Sequence, residues 1–332
     1  MERNIVKMLR LLPLLLLALA PDAYAGSLDS SVMGMFPKDV GEFGCADLSQ
    51  ARQLSWYPQF EAQLVPVSLY AFEQFLEAAQ MGQTSPIEEV AWARMTASDA
   101  DSDRSAAGTG QLVGVAVGEF DADAIQSFLN SRKIPSVQMG NYTLYDAGTG
   151  SGASDVFFTV IDWKTIAFGP LQQLKRILNV RRGEEENLLE NQTMMTLIDE
   201  ANGDAMLWGV LDSAHTGGAI GQLVPGVASF PQSQGLIRNM KDLLIVVRVS
   251  SDIELELQAA SGSKEEAILL SQLLQAAVLL QSYQTSTVNP SLAQMLNNVS
   301  IAANGNSLDV SFILTNAQLI NLIEHNTFTG NM

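Results

Sequence analysis

Cysteine and histidine are nearly missing from this chain: 332 residues hold one Cys and two His. Cys45 has no partner for an intramolecular disulfide, so stability must come from core burial. With only His215 and His325, a His-rich metal centre is excluded. Basic residues are also scarce. Lys and Arg number 18 against 36 Asp and Glu, a formal net charge of −18. That balance disfavours nucleic acid and anionic membrane faces as partners. Charged residues make up only 16% of the chain while 47% is hydrophobic, which supports a sizeable core and argues against disorder.

Common catalytic signatures are absent too. No GK[ST], G-x-S-x-G or HExxH occurs. Gly108, Gly110 and Gly114 precede an apolar run, whereas a dinucleotide fingerprint follows a strand and opens a helix. Ser261-Gly262-Ser263-Lys264 matches S-x-x-K, but its companion SDN and KTG motifs are missing, so helix capping is the plainer reading.

The N-terminus does carry a pattern. Arg3, Lys7 and Arg10 precede an apolar run at 11–20, and Ala23-Tyr24-Ala25 fits a small-residue cleavage site. Residues 1–25 are therefore expected to be a cleaved signal peptide. The run is too short to span a bilayer comfortably, and no cysteine follows it to take a lipid. The expectation is an exported chain, periplasmic or extracellular, with no transmembrane segment in its mature part.

Residues 155–183 form the clearest structural unit. Phe157, Thr159 and Ile161 alternate with Phe158, Val160 and Asp162, as a pleated strand requires. Asp162-Trp163-Lys164 turns the chain, 165–168 runs back, and Gly169-Pro170 leads into a helix with Pro at its first position. Leu171, Leu174, Ile177 and Leu178 fall at helical spacing, and Gly183 follows the helix end. Similar order recurs at 242–280 and 299–325, and strand–helix order at 113–132 is echoed at 205–223. Asp121 should cap the helix over 122–132. The apolar run within 264–284 predicts a buried helix, and Asn304-Gly305 predicts a hairpin turn.

Tight turns favour antiparallel pairing, and helices after hairpins favour one covered sheet face. The fold class expected is α+β: mostly antiparallel sheets with helices packed on one face. It would comprise two βαββα-like halves and an N-terminal helical segment. The divisions are 1–25 as leader, 26–86 as a mainly helical segment, 87–202 as the first α+β unit and 203–332 as the second.

Two side-chain sets could carry chemistry. His215 stands three residues after Asp212, so a carboxylate could orient a general base. Asp99, Asp101 and Asp103 alternate in a polar loop and could wrap calcium. That loop has Arg104 at its sixth position and Gly110 at its twelfth, where a full calcium loop needs Gly and an acid. A cofactor is otherwise not expected. The leading expectation is a non-enzymatic envelope or secreted protein with a binding or structural role toward a protein or small-molecule partner. The alternatives are a secreted hydrolase using Asp212 and His215, and a calcium-dependent binding protein.

Overall fold

The computed structural model describes residues 28–55, 57, 76, 87–95, 112–146, 156–203, 205–223 and 233–324. The expected leader, most of 56–86 in the expected helical segment, the loop with Asp99, Asp101 and Asp103, and His325 lie outside them. The chain divides into two compact units. The first holds the described residues of Ser27–Ser49 and Val65–Thr196, and the second those of Gln50–Leu64 and Leu197–Met332.

The first unit opens with α1 (Ser30–Met33), capped by the Asp29 carboxylate, which accepts from the Ser31 N–H at 2.7 Å. β1 (Val40–Asp47) follows, then the helical turn α2 (Leu48–Ala51), whose last two residues are assigned to the second unit. β2 (Ile87–Met95) and β3 (Leu112–Gly118) are mostly buried, β2 exposing Glu88 and half-exposing Glu89 and Arg94. Asp121 caps α3 (Ala122–Arg132) by accepting from the Ala124 N–H at 2.9 Å. A hairpin of β4 (Ser136–Met139) and β5 (Tyr142–Asp146) turns at Gly140, whose φ is +58°. β6 (Val156–Asp162), β7 (Thr165–Pro170) and α4 (Leu171–Arg181) complete the unit that the sequence marked most clearly. The strands run β1-β2-β3-β7-β6-β5-β4, each pair antiparallel. Leu174, Ile177 and Leu178 are fully buried, and α4 packs on β3, β6 and β7. Pro170 differs from expectation. It ends β7 with ψ 142°, so it stands just before the helix rather than as its first residue.

α5 (Gln192–Ala201) has residues on both sides of the division. The second unit continues with β8 (Leu207–Leu211), α6 (Ser213–Leu223), α7 (Ser233–Arg238), β9 (Asp242–Val249) and β10 (Asp252–Ala260). Then come α8 (Lys264–Thr285), α9 (Pro290–Asn297), β11 (Ser300–Asn304), β12 (Ser307–Thr315) and α10 (Asn316–Glu324). Strand order is β11-β12-β10-β9-β8, again antiparallel. Both units are thus α+β with antiparallel pairing. Their connectivity differs: β3 pairs with the second strand of the β6–β7 hairpin, while β8 pairs with the first strand of β9–β10.

α9 has no counterpart in the sequence reading, although Asn289-Pro290 is a good helix start: the Asn289 carboxamide accepts from the Leu292 N–H at 3.0 Å. α8 departs further. It was expected to be buried, and one side is: Ala267, Leu270, Leu274 and Ala277 face inward, and the helix packs on α9, β11 and β12. Its other side lies in solvent with Ile268, Leu269, Leu279, Leu280 and Tyr283 exposed.

Candidate functional site

Asp212 follows β8 and stands immediately before α6. Its carboxylate accepts from the His215 backbone N–H at 3.0 Å, which is N-cap geometry. The same oxygen lies 2.7 Å from His215 Nδ1. The structure therefore brings the two predicted residues together, on a three-residue spacing that one helical turn imposes. Asp242, at the start of β9, has its carboxyl pushed up from the usual range by burial and by the nearby Asp212 charge, with Lys241 opposing. Among the described residues, no hydroxyl or thiol hydrogen-bonds the other nitrogen of His215. The carboxylate has a complete local job as a cap, and the imidazole is held against it.

A second polar cluster arises from sheet register. Asp47 and Glu89 are direct partners across β1 and β2, and Cys45 pairs with Ala91 on the same face. Opposed carboxylates repel, and Glu89 is half-buried. Burial, then Asp47, Glu88 and Asp29, raise its pKa from 4.5 to about 7. Burial also pushes the Cys45 thiol well above its usual range, with Glu89 and Asp47 adding to the shift. The cysteine is therefore a small buried hydrophobe, protonated at neutral pH. On the opposite face, Glu42 accepts from Arg94 Nε at 2.8 Å and from Trp92 Nε1 at 3.3 Å. That partly buried carboxylate is satisfied and ties β1 to β2.

A shallow groove of about 310 Å³ in the second unit is lined by Glu200, Leu244, Val246, Arg248, Glu256 and Gln258. Arg248 donates to Glu256 at 2.5 Å, so the groove's cation already has a carboxylate partner.

Among the described residues, the outer side of α8 gathers the most exposed large apolar side chains on one element. Leu279 is 67% exposed, Leu280 54% and Tyr283 82%. Ile268, Leu269, Gln272 and Ala276 complete the stripe. At 100° per residue these seven side chains occupy about 120° of the helix circumference. No charged residue or histidine occurs anywhere in 267–308, in a chain of net charge −18. A helix apolar on both sides is ordinarily enclosed on both sides. The sequence reading missed this face because its apolar content was assigned wholly to the core. The signal available was spacing, since two apolar arcs on one helix exceed what one core contact uses.

No protein family matches this chain, and no curated protein matches it. A solved structure described as crystal form I of TP0453 is 11% identical and aligns over 91% of this chain and 99% of its own, with a TM-score of 0.48. Among the described residues no helix is long and apolar enough to cross a membrane, and no three His, Cys, Asp or Glu side chains are grouped to hold a metal ion.

Proposed function

We propose that this chain is an exported, non-enzymatic protein of the periplasm or cell exterior whose role is to bind or to build, with the outer face of α8 as its contact surface. One observation carries the reading: a solvent-facing apolar stripe on a 22-residue helix in an otherwise strongly acidic chain. A contiguous exposed apolar stripe is often functional on soluble proteins, and here the helix already satisfies the core with its other face. The export half of the proposal rests on the basic, apolar and Ala-x-Ala order of residues 1–25. N-terminal sequencing of protein recovered from outside the cytoplasm of a bacterial host should begin at Gly26; recovery of the full-length chain in the cytoplasm counts against export. Native mass spectrometry of the same material should show a bound species that Leu279→Lys removes. A bound species that persists in the variant moves the contact elsewhere.

A second reading, a secreted hydrolase using Asp212 and His215, draws on the 2.7 Å contact that would orient the imidazole. It requires a nucleophile that the local geometry does not supply. An ester, peptide and glycoside panel on wild type and His215→Ala decides it: turnover in the first and none in the second would replace the binding role. Calcium binding through Asp99, Asp101 and Asp103 is a further proposal, resting on sequence alternation alone, and identical melting temperatures in calcium and in EDTA would remove it. The two βαββα-like halves likewise belong here as a proposal about construction. It is supported by a strand, a helix, a hairpin and a helix occurring in that sequence in each unit, and opposed by the β4–β5 hairpin inserted in the first, α7 inserted in the second and the reversed order of hairpin pairing beside β3 and β8. Hydrogen exchange that followed each βαββα span as one cooperative block would support it, and exchange that crossed those spans would not.

A further inference from the structure

The strand that ends the sheet order of the first unit has a free edge. β4 pairs with β5 alone. The Asp146 N–H donates to the Pro135 carbonyl at 2.9 Å, and the register then makes Val137–Leu144 and Met139–Tyr142 the hydrogen-bonded pairs. Ser136 and Gln138 fall between those pairs, so their N–H and C=O groups point away from β5. Among the described residues nothing bonds those four groups, and Ser136, Val137 and Gln138 are all exposed. β4 carries neither a charge nor a bulge of the kind that blunts an edge. β11, at the end of the strand order in the second unit, is guarded: Gln275 on α8 donates to the Ile301 carbonyl at 2.7 Å.

Cations bracket this edge. Residues 132–182 hold seven Lys and Arg against three Asp, in a chain where acids outnumber bases two to one. Arg132 and Lys133 stand just before β4, at the end of α3. Among the described residues neither forms an ion pair, and Arg132 lies over the Phe128 ring at 5.5 Å. Arg181 and Arg182, at the end of α4, lie beside the turn that closes the other end of β4. Arg181 Nε donates to the Tyr142 hydroxyl at 2.9 Å, and a Cβ on Gly140 would sit 3.4 Å from Arg182 Nη1. Carboxylates balance this second pair in part, with Asp162 3.8 Å from Arg181 and Glu184 2.6 Å from Arg182.

We propose that the β4 edge is a strand-addition site for an extended acidic peptide segment of a partner protein. The site is separate from α8 and goes beyond the contact surface proposed there. Antiparallel addition continues the pairing of the sheet and joins the peptide backbone to Ser136 and Gln138. A peptide residue opposite Val137 shares the face of Leu144, which is fully buried, so an apolar side chain there covers an exposed valine. Acidic residues a few positions to either side meet Arg132 and Lys133 at one end and Arg181 and Arg182 at the other. Charge decides against a second copy as occupant. Antiparallel pairing of two β4 edges sets Arg132 and Lys133 of one chain against Arg181 and Arg182 of the other. Two outward residues make few hydrogen bonds, so the complex is weak and sensitive to salt.

Titration of the full chain with the peptide acetyl-Glu-Glu-Thr-Val-Thr-Glu-Glu-amide, read by NMR hydrogen exchange, tests the site. The peptide should slow exchange at the Ser136 and Gln138 amides and leave Val137 and Met139, already bonded to β5, unchanged. Ser136→Pro removes an outward N–H and no hairpin bond, and should weaken binding about tenfold. Arg132→Gln combined with Lys133→Asn should weaken it by a similar factor and reduce its dependence on salt; Asn tolerates the left-handed backbone of Lys133, whose φ is 53°. The same peptide with Lys for Glu should not bind. No binding of the acidic peptide at millimolar concentration overturns the proposal, as do equal binding of the Lys peptide, full affinity in Ser136→Pro, or protection that falls outside β4. Protection of Ser136 and Gln138 that rises with protein concentration alone makes the occupant a second copy and overturns the peptide. Leu279→Lys should bind the peptide as wild type does, and loss in that variant would move the contact to α8.

Discussion

At Glu89 the register of two strands sets an acid–base property that no local sequence contains. The side chain is paired with Asp47 across β1 and β2 and partly withdrawn from water, so its neutral form is favoured in the folded state. Its folded pKa of about 7 lies above the ordinary 4.5. The folded state therefore binds a proton more tightly than the unfolded state does. The contribution to stability is fully present below pH 4.5 and is lost as pH rises through about 7. Asp242, also raised by burial and the nearby Asp212 charge, acts in the same direction. Urea midpoints measured from pH 5 to 8 should fall for wild type, and Glu89→Gln should flatten that fall (no change of slope in the variant assigns the dependence elsewhere). Gly114 shows the same dependence on register. It lies opposite Phe168 on β7, and a Cβ added there would sit 2.7 Å from ring carbon Cε1. Gly114→Ala should destabilise the protein by about 1–3 kcal/mol. The penalty should shrink when Phe168→Ala is already present, and a double-mutant cycle measures it; full additivity would separate the two sites.

Among the elements, the strands and their helices were legible wherever one signal acted alone. β6 and α3 occupy the residues their patterns imply, because an alternating run and an Asp cap admit few other arrangements. The β11–β12 hairpin turns at Gly305 with φ +62°, as Asn-Gly demands. α8 was legible as a helix and illegible as a surface. Its inner and outer arcs are both apolar, so periodicity no longer distinguishes core from solvent. Asp212 with His215 was likewise legible because the pair spans one turn, whereas Asp47 with Glu89 was not, because their meeting depends on the register of strands some forty residues apart in sequence. The start of α8 is fixed by Ser263, whose hydroxyl accepts from the Glu266 N–H at 3.2 Å, with Glu265 and Glu266 in the first turn favourable to the helix dipole. Ser263→Ala should cost about 1 kcal/mol in a denaturant titration. An unchanged midpoint would mean that the start of α8 is held by its packing alone.

For the whole molecule, the charge balance ties stability to salt. Lys and Arg number 18 against 36 Asp and Glu, a net charge of −18. Folding brings those carboxylates closer together than the unfolded chain does, so self-repulsion opposes the compact state. Salt screens it over about 10 Å at 0.1 M and about 3 Å at 1 M. Ion pairs such as Arg176 with Asp39 and Glu185, or Lys38 with Glu186, are weakened by the same screening, but exposed pairs contribute little. Urea midpoints at about pH 7.5 should therefore rise as sodium chloride is raised from low concentration. A midpoint that falls over the same range would mean that the ion pairs outweigh the repulsion.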